Sequence, residues 1–211
     1  HRVGDVSFLC GLFLAYKYFG TLEFADLFKA AAENSHMVSL LPGDLLEVRA
    51  ISLIGFLIFI GAMAKSSQFP LHVWLPDTMD SPTPVSALMH AGIINAGGFL
   101  LNRLAPFYAL SPTTLHIIFL VGVLTVLLGA SMMLAQNDIK KTLGFSTMGQ
   151  MGYMIMECGL GAFALAIFHL IAHGLFKATL FLGAGTGIHA SRDEPKHPHS
   201  SEHEIEENKS S

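Results

Sequence analysis

The sequence predicts an all-α integral membrane protein, and three observations support this fold class. Of the 211 residues, 52% are hydrophobic and only 13% are charged, so the chain is too apolar for an ordinary soluble domain. About six stretches reach or approach the length of about 20 apolar residues that a helix needs to cross the bilayer. Apolar and polar residues nowhere alternate with period two, so a transmembrane β-barrel is disfavoured.

The predicted helices follow one another through residues 1–190, which we expect to form one transmembrane domain. Residues 21–49 mix charged and apolar side chains, so we predict a loop there with room for a short surface helix. Several prolines precede the third span, and Pro84 can serve as its first helical residue. The predicted spans lie near residues 3–20, 50–74, 85–104, 115–135, 142–160 and 162–188.

Residues 191–211 differ from the rest of the chain, because they are hydrophilic and rich in glutamate, serine and histidine. Such a segment cannot bury a core, and we predict that it is disordered and cytoplasmic. Its histidines lack ligand spacing on a fixed element, and the two cysteines lie far apart, so no metal site is predicted. The sequence contains no glycine fingerprint or cysteine cluster for a flavin, a nicotinamide or an iron–sulfur cluster.

The charged residues also predict the orientation of the chain. Lysines and arginines are slightly more numerous on the side that would hold both ends of six spans, so the positive-inside rule predicts cytoplasmic ends. The net charge of -4 implies no nucleic-acid partner. The chain opens at His1 without a cleavage site behind its first apolar stretch, so we expect a piece of a longer protein without a signal peptide.

Three ionisable residues of the sixth predicted span share one helical stripe. His169, His173 and Lys177 follow each other at steps of four residues, which places them within about 80° of the helix circumference. A charged lysine near the bilayer centre costs about 3 kcal/mol on insertion scales, so it should face protein or water. Imidazole can accept a proton on one nitrogen and release one from the other, and an amine in apolar surroundings loses its proton more readily. The stripe predicts a proton relay; the alternative is that the histidines bond across helices and Lys177 snorkels to an interface.

Lys65 lies where the second predicted span meets residues that interrupt a helix. Ser66, Ser67 and Gln68 follow it, and this composition suits a helix broken within the membrane, whose freed backbone groups are satisfied by side chains or water. The alternative is a helix that ends at Lys65, followed by a re-entrant or interfacial segment that holds Trp74.

Three further ionisable residues lie at the ends or in the middle of predicted spans. His90 is surrounded by small residues that permit close helix packing, and taken alone it is more often a bonded core histidine than a proton carrier. Asp138 and Lys141 open the fifth span, where a plain interfacial charge cluster is the favoured interpretation.

Four sequence motifs resemble those of the antiporter-like membrane subunits of respiratory complex I. These motifs are AKSSQFPLHVWLPD at 64–77, SPTPVSALMHA at 81–91, DIKKTLGFSTMGQMGY at 138–153 and HLIAHGLFK at 169–177. The sequence looks most similar to the subunit L (mitochondrial subunit 5) members. Their relatives include the large subunit of multisubunit cation/proton antiporters and the membrane subunit of bicarbonate-accumulating complexes. The resemblance covers about residues 2–188.

The resemblance implies part of a bundle of two inverted five-helix repeats, each with one broken helix and a central lysine. Lys65 would be the lysine of the first broken helix, and His90 would bridge from it to a central axis. A glutamate partner of Lys65 is expected before His1 and a second broken helix after Ser211, so this chain alone would not complete a transmembrane path. The implied proton relay consists of Lys65, His90, Lys141, His169, His173 and Lys177, with Asp138 as an accessory residue.

Three functions are open on this basis. The first is proton translocation by a non-redox subunit of an NADH:quinone oxidoreductase, with quinone, FMN and iron–sulfur clusters on partner subunits only. The second is the membrane subunit of a cation/proton antiporter or of a proton-driven inorganic-carbon uptake complex. The third is a non-conducting scaffold, which the intramembrane charges disfavour. We expect the bacterial inner membrane as the location, and other membrane subunits, lipid, protons and water as partners.

Overall fold

The computed structural model describes residues 2–33, 36–39 and 47–193 of the chain. Helices dominate these residues, which confirms the predicted all-α class, and a short antiparallel pair of strands accompanies them with Val38 opposite Val48. The strands are β1 (Met37–Ser39) and β2 (Glu47–Arg49). The helices are α1 (Arg2–Phe19), α2 (Phe24–Glu33), α3 (Ala50–Lys65), α4 (Thr83–Ala91), α5 (Ala96–Arg103), α6 (Ala105–Ala109), α7 (Pro112–Leu134), α8 (Ile139–Gly159) and α9 (Phe163–Asp193).

Three helical segments of the described chain are long and apolar enough to cross a membrane. They are Thr83–Arg103, Pro112–Leu134 and Phe163–Gly183. α3 is apolar but has only 16 residues, while α1 and α8 have 18 and 21 residues and each contains three charged side chains. These lengths support the prediction of an integral membrane protein. That the chain crosses the membrane about six times stays a prediction.

The second predicted span, 50–74, is wrong in its last third, because α3 ends at Lys65. Ser67 has a left-handed backbone (φ 50°), which stops the helix. Gln68 Nε2 donates to the freed Ser66 carbonyl at 3.1 Å, and Ser66 Oγ donates to the Ile94 carbonyl of the next span at 2.6 Å, whereas Ser67 Oγ has no hydrogen-bond partner in the described part of the chain. The chain then continues through turns to Pro76–Asp80, a short 3₁₀-helix. The helix is therefore interrupted after Lys65, which both interpretations of the sequence allow, and the place of the interruption relative to a membrane stays a prediction.

The third predicted span, 85–104, is also interrupted, which the sequence analysis did not predict. α4 ends at Ala91, a single 3₁₀ turn covers Ile93–Asn95, and α5 follows directly. Asn95 Nδ2 donates to the Ala91 carbonyl at 2.7 Å and so takes an acceptor that a regular helix would use for a backbone N–H. The span is therefore bent at the side-chain bond of Asn95.

The last helix, α9, extends beyond the predicted end near residue 188. It runs from Phe163 to Asp193 and so includes the first residues of the segment 191–211 that was predicted to be disordered. Residues 194–211, on which the rest of that prediction falls, lie outside the described residues.

Glycines allow α7 and α8 to pack closely along much of their length. A Cβ atom added to Gly122 would lie 2.5 Å from the backbone nitrogen of Met156, and one added to Gly129 would lie 2.6 Å from that of Gly149. α8 also packs against α9, and α9 packs against α4. This order of contacts brings the ionisable residues of α4, α8 and α9 into one region.

The glycine contact predicts a position-specific loss of stability. Gly129→Ala should lower the thermal unfolding midpoint of the full-length parent in detergent, because the new methyl group meets the α8 backbone, a clash that costs about 1–3 kcal/mol. Gly149→Ala is the matched control on the opposite helix, since its Cβ would lie 3.8 Å from the nearest atom. Equal midpoints for the two variants would contradict this packing.

Candidate functional site

Two of the predicted relay residues on α9 are buried on the side of this helix that meets α8. His173 and Lys177 expose only 5% and 1% of their surface. Lys177 Nζ donates a hydrogen bond to the Leu143 carbonyl oxygen of α8 at 3.2 Å. The ammonium group therefore points at the neighbouring helix, close to the beginning of α8, instead of snorkelling along α9.

His169 bonds across to α8 with both of its ring nitrogens. Nδ1 lies 3.2 and 3.3 Å from the two carboxylate oxygens of Glu157, and Nε2 lies 3.0 Å from Oε1 of Gln150. The geometry of His169 therefore agrees with the alternative interpretation, in which the histidines bond across helices. One of its partners, however, is an ionisable carboxylate. Glu157 is close to the end of α8, whereas the Lys177 contact at Leu143 is close to its beginning.

A cavity connects the three residues of the α9 stripe. It has a volume of about 270 Å³, and its lining includes Gln150, His169, His173 and Lys177. The rings of His169 and His173 are 6.1 Å apart between centroids, which is too far for a direct hydrogen bond. Neither ring nitrogen of His173 has a hydrogen-bond partner in the described part of the chain. Since a water occupies about 30 Å³ in the liquid, the cavity has room for water-mediated contacts along the stripe.

His90 lies on α4 beside the far end of the stripe. It is buried, its ring stacks on that of Phe181 with centroids 4.8 Å apart, and its Nε2 lies 3.3 Å from the Thr78 hydroxyl. Phe181 is one turn beyond Lys177 on α9, and His90 is close enough to Lys177 to interact with it electrostatically. The structure thus places His90 next to the α9 stripe, as the resemblance implies.

Lys65 belongs to a second group of ionisable residues, on α1 and α3. Its Nζ lies 3.3 Å from Oδ1 of Asp5, and the two side chains are 51% and 39% exposed. Both residues line a cavity of about 310 Å³ between α1, α3 and α5, whose other lining atoms are mostly apolar. A carboxylate partner for Lys65 is therefore present within the described chain, in addition to the glutamate expected before His1.

The bent segment at residues 91–97 lies between these two groups. On one side, Ser66 Oγ accepts a hydrogen bond from the Gly97 backbone N–H at 2.9 Å, one residue after Lys65. On the other side, α9 approaches so closely that a Cβ on Gly174 would lie 2.9 Å from the Ala91 carbonyl oxygen. The end of α3 and the stripe of α9 therefore touch the same bend.

Asp138 and Lys141 occupy the first turn of α8, away from the buried stripe. Asp138 Oδ1 accepts a hydrogen bond from the Lys141 backbone N–H at 3.0 Å, which is the geometry of an N-cap. The Lys141 side chain is exposed. Its neighbour Lys140 donates to the carbonyl oxygens of Ser81 and Met79, at 3.1 and 3.4 Å, and so holds the loop before α4 against α8.

Two acidic residues of the site, Asp5 and Glu157, were not among the predicted site residues. Both lie inside predicted spans, and an acidic residue within an apolar span is itself a sign of function. Spacing along the chain could not have paired them with Lys65 and His169, because each pair joins different helices.

Comparison with known proteins identifies similar sequences over nearly the whole chain. Residues 1–203 match a protein family described as NADH:quinone oxidoreductase/Mrp antiporter, TM. The probable inorganic carbon transporter subunit DabB1 of Halothiobacillus neapolitanus is 53% identical over 204 residues, covering 96% of this chain and 35% of that protein. The chloroplastic NAD(P)H-quinone oxidoreductase subunit 5 of Nymphaea alba is 48% identical over 191 residues, covering 90% of this chain and 25% of that protein. The chain thus spans about a third or less of these relatives.

Solved structures with the same fold come from multisubunit membrane complexes. A chain of the Mrp complex from Dietzia sp. DQ12-45-1b matches with a TM-score of 0.77 at 32% identity, covering 88% of this chain and 20% of that chain. A chain of the membrane-bound sulfane sulfur reductase, an archaeal respiratory membrane complex, matches in fold with a TM-score of 0.74 at 24% identity, covering 88% of this chain and 37% of that chain.

Proposed function

The chain belongs to the NADH:quinone oxidoreductase/Mrp antiporter transmembrane family, and from this premise we propose that it forms part of a proton-conducting membrane subunit. The observation that carries the proposal is the stripe of His169, His173 and Lys177 along one cavity between α8 and α9, in which His173 and Lys177 are buried and His169 is partly buried. Ionisable groups are expensive at bilayer depth, and they are retained there mainly along ion and proton pathways.

Each residue of the stripe can perform one step of proton transfer. The Lys177 ammonium has three N–H donors, of which the Leu143 carbonyl takes one, so others are available to water in the cavity. His173 presents a neutral ring that can accept a proton on one nitrogen and release one from the other. His169 stands at the end near Glu157, and water in the cavity would bridge its ring and that of His173.

Lys65 and His90 extend the proposed relay towards α1 and α3, through the bend at residues 91–97 that both groups touch. Lys141, in the first turn of α8, would continue the relay, with Asp138 at the N-cap as an accessory residue. A charged pair such as Lys65 and Asp5 is costly against hydrocarbon, so we propose that other parts of the parent protein or water cover this face.

The first candidate context is a complex I-like NADH:quinone oxidoreductase, in which the chain would be a translocase subunit without redox chemistry of its own. Quinone, FMN and iron–sulfur clusters would then reside on partner subunits. The second candidate is a proton-driven inorganic-carbon uptake complex, which the 53% identity with the carbon transporter subunit favours. The proteins that co-purify with the full-length parent from native membranes distinguish the two contexts. Other membrane subunits, lipid, protons and water would be its partners, in a bacterial inner membrane with both ends of this segment cytoplasmic.

Replacing His173 tests the proposed function directly. His173→Ala in the full-length parent, within its assembled complex, should slow proton flux by at least about tenfold, because it removes a proton carrier from the middle of the stripe. The flux is measured in reconstituted vesicles with a pH-sensitive dye.

The matched control is His116→Ala, since His116 is an exposed histidine on α7 outside the cavity. This control should leave the flux unchanged. Equal flux for the two variants, at equal content of assembled complex, would contradict the relay.

A further inference from the structure

Glu157 is a partly buried carboxylate that the predicted relay does not include. It pairs with His169 across the α8–α9 contact, and the two side chains are 14% and 16% exposed. The other ring nitrogen of His169 faces Oε1 of Gln150 at 3.0 Å, so both nitrogens point at oxygen acceptors. A neutral imidazole has only one N–H donor, whereas the imidazolium has two. The ring therefore connects two oxygen partners, and a proton can enter it at one nitrogen and leave from the other.

The position of this pair distinguishes it from the rest of the stripe. Glu157 lies two residues before the end of α8 at Gly159, and the exposed turn at 160–161 follows directly. The Lys177 contact at Leu143 lies at the other end of α8, about 21 Å away at 1.5 Å per residue. Glu157 is thus the carboxylate of the described chain that stands between the α8–α9 turn and the cavity.

We propose that Glu157 and His169 form the proton-loading site of the stripe, where a proton is exchanged with the aqueous phase at the α8–α9 turn. This inference rests on the proposed function. A proton from water binds a Glu157 carboxylate oxygen and passes to the unprotonated Nδ1 of a neutral His169 ring, and the imidazolium so formed releases its Nε2 proton into the cavity towards His173. No covalent bond between heavy atoms changes, and Gln150, which also lines the cavity, orients the ring because its Oε1 accepts the hydrogen bond from Nε2.

The surroundings allow a pH-dependent test of this site. The described elements packed against α8 and α9 carry other ionisable groups, and all of them are retained in the variants below. These groups are Lys140, Lys141, Tyr153 and Cys158 on α8, His173 and Lys177 on α9, His90 on α4, Arg103 on α5, His116 on α7, and Asp77 and Asp80 in the 3₁₀-helix.

The test uses two substitutions with opposite expected effects. Glu157→Gln removes the charge that stabilises the imidazolium, so the pH of half-maximal proton flux should fall by about one unit, with flux at neutral pH reduced about tenfold. Gln150→Glu adds a carboxylate beside Nε2, so the same midpoint should rise by about one unit. Flux is measured with the full-length parent in its assembled complex, reconstituted in vesicles, and the pH is varied on the inside and on the outside in turn.

The control is Glu33→Gln on α2, an exposed glutamate, which should leave flux and pH profile unchanged. If one of the two variants fails to assemble, the direction in which the other variant shifts the pH of half-maximal flux decides whether the loading site stands. Unchanged midpoints, or midpoints that move in the same direction, would overturn the loading site. Inactivity of Lys177→Met combined with unchanged profiles here would remove this inference alone, whereas full activity of both Lys177→Met and Lys65→Ala would remove the proposed function itself.

Discussion

Replacing Lys177 with methionine is expected to abolish proton pumping by the full-length parent while its complex still assembles. Lys177 is buried, donates a hydrogen bond to the Leu143 carbonyl, and lines the cavity together with His169 and His173. Without its amine, the stripe has no group that can hold a proton between His173 and His90. The loss should reach at least about 100-fold in vesicle pumping assays, the range expected for a positioned proton-transfer group.

Methionine is a suitable replacement because it keeps most of the lysine volume and removes only the ionisable group. A buried charge is costly, so its removal should not destabilise the bundle. Lys177→Arg complements this variant, since the guanidinium keeps the positive charge but does not release its proton in proteins. We expect Lys177→Arg to be inactive as well, which separates proton transfer from a purely electrostatic role.

Lys17→Met provides the matched control, because Lys17 is an exposed lysine on α1 whose ammonium lies over the Tyr18 ring. It should pump at the wild-type rate. Wild-type pumping by Lys177→Met would exclude Lys177 from the path, and wild-type pumping by Lys177→Arg would mean that only its charge matters.

The sequence could predict the features of this site that depend on local spacing. Steps of four residues on one helix suffice to align His169, His173 and Lys177, since helix geometry fixes which residues share a face. The interruption after Lys65 was also predictable from its polar residues, although the predicted span continued to residue 74. There the left-handed backbone at Ser67 and the hydrogen bond from Ser66 to Ile94 end the helix.

The contacts between helices could not be predicted from spacing. The pairing of Glu157 with His169 depends on how α8 and α9 align, and α8 is held in place by glycine contacts with α7. The bend at Asn95 depends on a side-chain bond to the Ala91 carbonyl that competes with regular helix bonds. A hydropathy profile shows that a stretch is apolar enough to form a helix in the membrane. It does not show which residues of neighbouring helices face each other or where a helix is interrupted.

Lys65→Ala is expected to reduce pumping by at least about 100-fold, to a residual rate that can still be measured, and Asp5→Asn is expected to reduce it less. The two side chains form an ion pair at 3.3 Å between α1 and α3, and they line the same mostly apolar cavity. Asp5 is the carboxylate that pairs with Lys65 in the described chain, so removal of its charge should reduce pumping by about tenfold, within the range for proton-transfer groups. Pumping is again measured in vesicles with the assembled complex.

The two substitutions should not be additive if the pair acts as one unit. Lys65→Ala combined with Asp5→Asn should pump no worse than Lys65→Ala alone, because Asp5 has no partner left to stabilise. Lys29→Ala and Asp26→Asn, at exposed positions on α2, serve as the matched control pair and should leave pumping unchanged. Additive losses would mean that Asp5 acts independently of Lys65. Wild-type pumping by both Lys65→Ala and Lys177→Met would remove the relay as a whole, since each lysine stands in one of the two ionisable groups that the bend at residues 91–97 connects.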